Sequence, residues 1–191
     1  MTTPLDSAKT SLRQQVRARL RATSSEQLQV GSQRLGERLL ALPMWKQAKI
    51  VLFFAPLRDE PDIWPAISVA LKEGKQVSLP KLDPAGFTYS ASPVQSLEDL
   101  TPGKFGILEP RHSAAATPLN RLDLVLVPGV AFDSHGGRLG RGKGYYDRLL
   151  SAVNGTKCGV AFDEQIVDAV PVGPMDVRLN CILTPTRWIE T

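Results

Sequence analysis

Leu124-Val125-Leu126-Val127-Pro128-Gly129-Val130-Ala131-Phe132-Asp133, running on to Gly136-Gly137-Arg138-Leu139-Gly140-Arg141-Gly142-Lys143-Gly144-Tyr145-Tyr146-Asp147-Arg148, takes an apolar strand into a basic glycine loop. A helix is expected from Tyr145 to about Val153. Strand, glycine turn and helix start together make a place for phosphate. Arg138, Arg141 and Lys143 bring three positive charges into the loop. Gly140, Gly142 and Gly144 let the backbone approach an anion and offer it N–H groups. Asp147, in the first helical turn, is a candidate Mg²⁺ ligand beside the phosphates. The plainer alternative is a solvated basic turn with Asp147 as a helix-end charge.

The loop nearly matches two known phosphate patterns and departs from both. Gly137 to Lys143 fits G-x-x-x-x-G-K, but Gly144 stands where a P-loop needs Ser or Thr to bind Mg²⁺. Glycines at 140, 142 and 144 also fail the dinucleotide fingerprint. An ordinary P-loop nucleoside triphosphatase and a dinucleotide enzyme are therefore disfavoured.

The rest of the chain bounds the answer. A length of 191 residues suits one domain, 1–191, and 42% apolar with 22% charged residues suits a globular fold. The net charge of +4 fits an anionic ligand without demanding nucleic acid. Cys158 and Cys181 lie in apolar runs and read as small core residues. His112 and His135 are too far from other ligands for zinc spacing. No secretory apolar segment or bilayer-length run is seen, so a cytoplasmic protein with no membrane partner is expected.

Residues 7–22 show helical spacing, with Leu12, Val16 and Leu20 on one side. Lys9, Arg13, Arg17 and Arg21 form a basic stripe. Thr23 and Glu26 suggest a capping box opening a second helix to about Leu42, closed by Pro43. These helices, 7–42, are expected to pack on the sheet. Strands are expected at Lys49–Ala55, Gln76–Leu79, Phe87–Ala91, Gly106–Glu109, Leu122–Val127, Lys157–Phe162 and Cys181–Leu183. Asp62 is read as the cap of a helix Ile63–Glu73. Alternating helices and apolar strands define an α/β fold, a single layered domain with a mainly parallel sheet flanked by helices. The loops at Arg58–Glu60, Ser134–Lys143 and Asp163–Gln165 all follow strands, which would place them on one sheet edge.

The run from Pro128 to Arg148 resembles the signature of the 5-formyltetrahydrofolate cyclo-ligase (5,10-methenyltetrahydrofolate synthetase) family. Lys9-x-x-x-Arg13, Asp59-Glu60, Leu79-Pro80, Gly106-x-x-Glu109-Pro110, Ala161-Phe162-x-Glu164-Gln165 and Ile182-Leu183-Thr184 follow in family order. The resemblance implies a fold of the ribose-phosphate isomerase and CoA-transferase type. It implies a ligase that uses ATP and Mg²⁺ to close 5-formyltetrahydrofolate to 5,10-methenyltetrahydrofolate through an iminium phosphate. It places Lys9, Arg13 and the run Arg138, Leu139, Gly140, Arg141, Gly142, Lys143, Gly144, Tyr145 and Tyr146 on ATP. It places Ala55, Glu60, Arg141, Gly142, Lys143, Gly144 and Tyr145 on the folate, with Lys143 and Tyr145 nearest the chemistry. Asp147 and Asp176 are implied as metal ligands. Asn180 stands where the family often has Asp, which removes a metal role there. Tyr145 is otherwise a packing aromatic, Glu60 an exposed loop charge and Asp176 a turn residue. Asp133 is read as a brace for the loop.

Two other classes compete. A nucleic-acid-binding module would use the N-terminal arginines, but the charge excess is small and no aromatic-basic RNA motif is present. A sugar-phosphate or CoA-handling enzyme on a related sheet would work without ATP. The first reading expects 5-formyltetrahydrofolate and ATP as the partners of a monomer.

Overall fold

The computed structural model describes residues 3–83, 85, 88–103, 106–111 and 115–191. The chain opens with helices α1 (Pro4–Ala22), α2 (Ser25–Ala41) and the single turn α3 (Pro43–Gln47). Strand β1 (Ile50–Leu52), helix α4 (Trp64–Lys72) and strands β2 (Gln76–Leu82) and β3 (Tyr89–Val94) follow. A small ribbon, β4 (Leu100–Pro102) with β5 (Leu108–Pro110), precedes β6 (Leu124–Val127). The hairpin β7 (Ala131–Phe132) and β8 (Arg138–Leu139) leads through the glycine loop to α5 (Tyr145–Leu150). Strands β9 (Thr156–Val160), β10 (Cys181–Leu183) and β11 (Trp188–Glu190) complete the chain.

Seven strands form the main sheet in the order β11-β10-β9-β6-β1-β2-β3. The five inner strands run parallel, and only the edge strands β3 and β11 are antiparallel. The expected α/β layering with a mainly parallel sheet is what the chain adopts. Successive side chains on the inner strands point to opposite faces. Val51, Phe53, Leu124 and Leu126 meet α2 and α4 on one face, in a core with Leu39, Trp45 and Ile67. Leu52, Val125 and Val127 meet Leu149, Leu150 and Val153 on the other. Burial on both faces explains why these strands are continuously apolar.

The chain leaves β1 in one direction, to β2, and returns through β6 to fill the other side. The gap beyond the carboxyl ends of β1 and β6 is thus a topological switch point, where open α/β sheets bind ligands. β1 pairs with β2 only as far as Ser78. Pro80, two residues on, therefore forfeits no bond to β1, and the sheet opens there.

Several local expectations shift. The second capping box is Ser24 with Gln27, one residue later than Thr23 with Glu26. An unexpected one, Thr3 with Asp6, starts α1 three residues early. Pro43 occupies the first turn of α3 as well as following α2, because a first-turn residue needs no N–H partner. The predicted strand start at Phe87 lies outside the described residues. Helix α2 packs on the sheet, whereas α1 lies on the β7–β8 hairpin through Val16, Leu20, Val130 and Leu139. That placement brings Arg13 of the basic stripe to the glycine loop and Lys9 to Asp176.

Candidate active site

A cavity of about 500 Å³ opens at the switch point. Each residue singled out from the sequence for ATP, folate or metal lines it. The glycine loop forms one wall. Gly142 and Gly144 have φ of +103° and +65°, conformations that a Cβ disfavours. Gly144 is therefore glycine for its left-handed turn into α5. Among the described residues, the amides of Gly140 to Gly144 donate to no acceptor of the protein. Five such N–H groups in a basic loop are what an anion requires.

Helix α1 supplies two cations from one face. Arg13 Nε donates to the Gly140 carbonyl at 2.9 Å, and Lys9 Nζ pairs with Asp176 at 2.5 Å. The Gly173 amide also donates to Asp176. Burial alone would raise the Asp176 carboxyl, but Lys9 and that amide hold it below the ordinary value. The turn thus keeps Asp176 ionised.

Arg138 behaves differently from the other loop cations. Its side chain is 2% exposed and donates from Nη2 to Asp147 Oδ1 at 2.7 Å. Its guanidinium also lies 5.7 Å from the centre of the Tyr146 ring. Arg138 is a buried strut that orients Asp147, while Lys143 is exposed and its ammonium has no partner among the described residues. The sequence treated these charges alike, because spacing does not separate a buried cation from a solvated one.

The opposite wall is apolar and acidic. Phe54, Ala55 and Leu57 continue from β1, and Glu60 follows. Glu60 is buried, not an exposed loop charge: it accepts from Arg141 at 2.8 Å and from the Leu57 amide at 3.0 Å. Burial lifts its carboxyl above the ordinary value although Arg141 opposes the change. Arg141 also holds Asp59, whose carboxyl it keeps low against the effect of burial.

Tyr89 of β3 was not anticipated. Its ring meets those of Tyr145 and Tyr146 edge to face, at 5.1 and 5.9 Å. The three rings make an aromatic corner where α5 meets the sheet edge. Burial pushes the Tyr146 phenol well above its usual value, so it stays neutral. An isolated tyrosine on an edge strand carries no sequence signal for such a role.

Other expectations fall outside the cavity. Asp163 bonds Thr184, Thr186 and Arg187, and Gln165 braces the Gly129 carbonyl, so the third loop supports the site without lining it. Asp133 accepts from the amides of His135, Gly137 and Val170, the brace expected of it. Asn180 is bonded to the Lys157 backbone, away from the cavity. Cys158 and Cys181 are free, buried and adjacent in the sheet.

Among the described residues, no three His, Cys, Asp or Glu side chains converge as a metal cage. Asp147 and Asp176 nevertheless fit a magnesium ion. Each takes its protein bonds on one oxygen. Mg²⁺ commonly takes one or two carboxylates and completes its shell with water and substrate phosphate.

A parallel sheet with a basic glycine loop at its switch point, facing an apolar wall, defines a class: an α/β protein whose cavity sets an anion-suited loop beside an apolar surface. Comparison with known proteins narrows this. The sequence model of the 5-formyltetrahydrofolate cyclo-ligase family matches residues 6–185. The 5-formyltetrahydrofolate cyclo-ligase of Escherichia coli K12 is 35% identical over 184 residues, spanning 92% of this chain and 99% of that protein. The Mus musculus enzyme is 31% identical, with 94% of each chain covered. Among solved structures, 5,10-methenyltetrahydrofolate synthetase of Aquifex aeolicus superposes with a TM-score of 0.86 at 36% identity, over 95% of this chain and 92% of that one. The chain belongs to the 5-formyltetrahydrofolate cyclo-ligase family and is a ligase.

Proposed function

We propose that the protein converts 5-formyltetrahydrofolate and ATP to 5,10-methenyltetrahydrofolate, ADP and phosphate, with Mg²⁺. The observation that carries this reading is the convergence of a basic glycine loop and an apolar, acidic wall on one cavity. The former suits a polyphosphate and the latter a pterin.

The formyl oxygen of the substrate is a poor leaving group. Attack of that oxygen on the γ-phosphorus breaks the bond to ADP and leaves an N5 iminium phosphate. N10 then attacks the formyl carbon, the carbon–oxygen bond to phosphate breaks, and the N10 proton passes to solvent. Such a transfer needs positioning and charge neutralisation more than a protein nucleophile. Lys143 and the loop amides hold the phosphates, joined by Lys9 and Arg13 from α1. Tyr145 packs against the folate beside the reacting carbon. Glu60 accepts ring N–H groups of the pterin, with Ala55 against its face. Asp147 and Asp176 would hold magnesium, which supplies charge neutralisation on the transferring phosphate. The whole chain, 1–191, acts as one monomeric catalytic unit in the cytoplasm.

The test is to mix the protein with 5-formyltetrahydrofolate and Mg·ATP and follow the methenyl chromophore. Product is expected only when ATP and Mg²⁺ are both present. Absence of product sinks the reading, and turnover without ATP sinks the nucleotide assignment.

A further inference from the structure

We infer that Asp59 and Arg141 form a clasp that couples the two ligand sites, with Asp59 as a positioning residue that acts through Arg141. This rests on the proposed function. Asp59 does not itself line the cavity, whereas Arg141 and Glu60 do. The guanidinium is shared between the two carboxylates along two edges. Nε and Nη2 donate to Glu60 Oε1 at 3.2 and 2.8 Å. Nη1 and Nη2 donate end-on to Asp59 Oδ2 and Oδ1 at 3.2 and 2.6 Å. A guanidinium has five N–H groups, so one remains for any further acceptor.

Both expected ligands must therefore compete for groups already bonded to one another. A phosphate on the glycine loop bids for Arg141. A pterin bids for Glu60. Drawing Arg141 away from Glu60 by itself leaves a buried carboxylate short of its partner, which is costly. A second ligand presenting ring N–H donors replaces that partner. Each ligand therefore lowers the cost of binding the other, and the coupling is reciprocal. Asp59 keeps its end-on fork throughout, so the guanidinium is neither lost to solvent nor drawn wholly onto Glu60. The fork geometry is specific to arginine.

The measurement is calorimetric titration of the full-length protein with 5-formyltetrahydrofolate, with and without Mg²⁺ and the β,γ-imido analogue of ATP. The analogue is expected to tighten folate binding about tenfold, within the usual range of coupling between sites. In Arg141→Lys, whose ammonium cannot bond both carboxylates as a fork, the factor falls to about twofold or less. In Asp59→Asn the guanidinium shifts onto Glu60. Folate binding without nucleotide then weakens about threefold, while the melting temperature stays put, since exposed ion pairs add little stability. Asp59→Glu restores the affinity. A wild-type protein that binds both ligands with no change in folate affinity overturns the clasp and leaves the proposed function standing. So does an unchanged folate affinity in Asp59→Asn. A protein that binds neither ligand overturns the proposed function, and the clasp with it.

Discussion

Lys143 and Asp147 stand four residues apart, yet their environments call for different outcomes when each is removed. Lys143 is exposed and its ammonium has no partner among the described residues. Lys143→Ala is expected to lower kcat on the order of a hundredfold, as loss of a donor to developing charge does elsewhere, without moving the melting temperature. Asp147 is the carboxylate that pairs with the buried Arg138 guanidinium, through Nη2. Asp147→Ala strands that cation, and a loss of roughly 2–4 kcal/mol of stability accompanies the fall in activity. Urea unfolding of both variants, alongside turnover, separates the two. Equal midpoints would mean that Arg138 is not held by Asp147. Sequence spacing made both residues candidates for the site. It could not show that Arg138 is a strut, because a buried arginine is written with the same letter as a solvated one.

At the scale of elements, the turn between β7 and β8 depends on Asp133. Three backbone N–H groups converge on its carboxylate at 2.7 to 2.9 Å. Burial would raise this carboxyl, but the amides of Val170, Gly137 and His135 overcome it and hold it below the ordinary value. Asp163, bonded by Thr184, Thr186 and Arg187, and Asp176 are held low in the same way. A depressed folded-state value gives stability that is complete above the unfolded value, about pH 4, and is lost as pH falls through the folded one. Melting temperature is therefore expected to be flat near pH 6 and to drop below about pH 4. Asp133→Ala leaves the buried amides of Gly137 and Val170, and the partly buried one of His135, without their acceptor and should cost about 3 kcal/mol or more at neutral pH. Asp133→Asn should melt lower at pH 6 and show a shallower acid drop. An acid profile identical to wild type would mean that other carboxylates set it. The elements themselves were largely legible. β10 at Cys181–Leu183 matches its predicted bounds, because a short apolar run buried on both sides has few alternatives. The start of α1 was not, because Thr3 and Asp6 make a cap that the apolar periodicity, beginning later, does not signal.

For the molecule as a whole, polar contacts at the cavity tie α1 to the glycine loop and to the Asp176 turn, and the glycine loop to the loop after β1. A ligand that bridges them binds the folded chain and not the unfolded one. The β,γ-imido analogue of ATP with Mg²⁺, at a hundred times its dissociation constant, should raise stability by about 2.7 kcal/mol. A thermal shift with analogue and magnesium together, larger than with either alone, is the expected result. A shift unaffected by magnesium would remove Asp147 and Asp176 from the metal assignment. None of the helices among the described residues is long and apolar enough to cross a membrane.

The sequence by itself determined the sheet, its mainly parallel character and the basic glycine loop. Strands buried on both faces must be apolar throughout, and a loop that meets phosphate must be small and cationic; both requirements are written locally. Only the tertiary structure decided which residues meet. It moved Glu60 from a surface charge to a buried acceptor and divided Arg141 between two carboxylates. It also brought Tyr89 across from an edge strand to Tyr145 and Tyr146. Those pairings join segments more than fifty residues apart, and burial and partnership at that range are set by the packing of the whole chain, which no local spacing records.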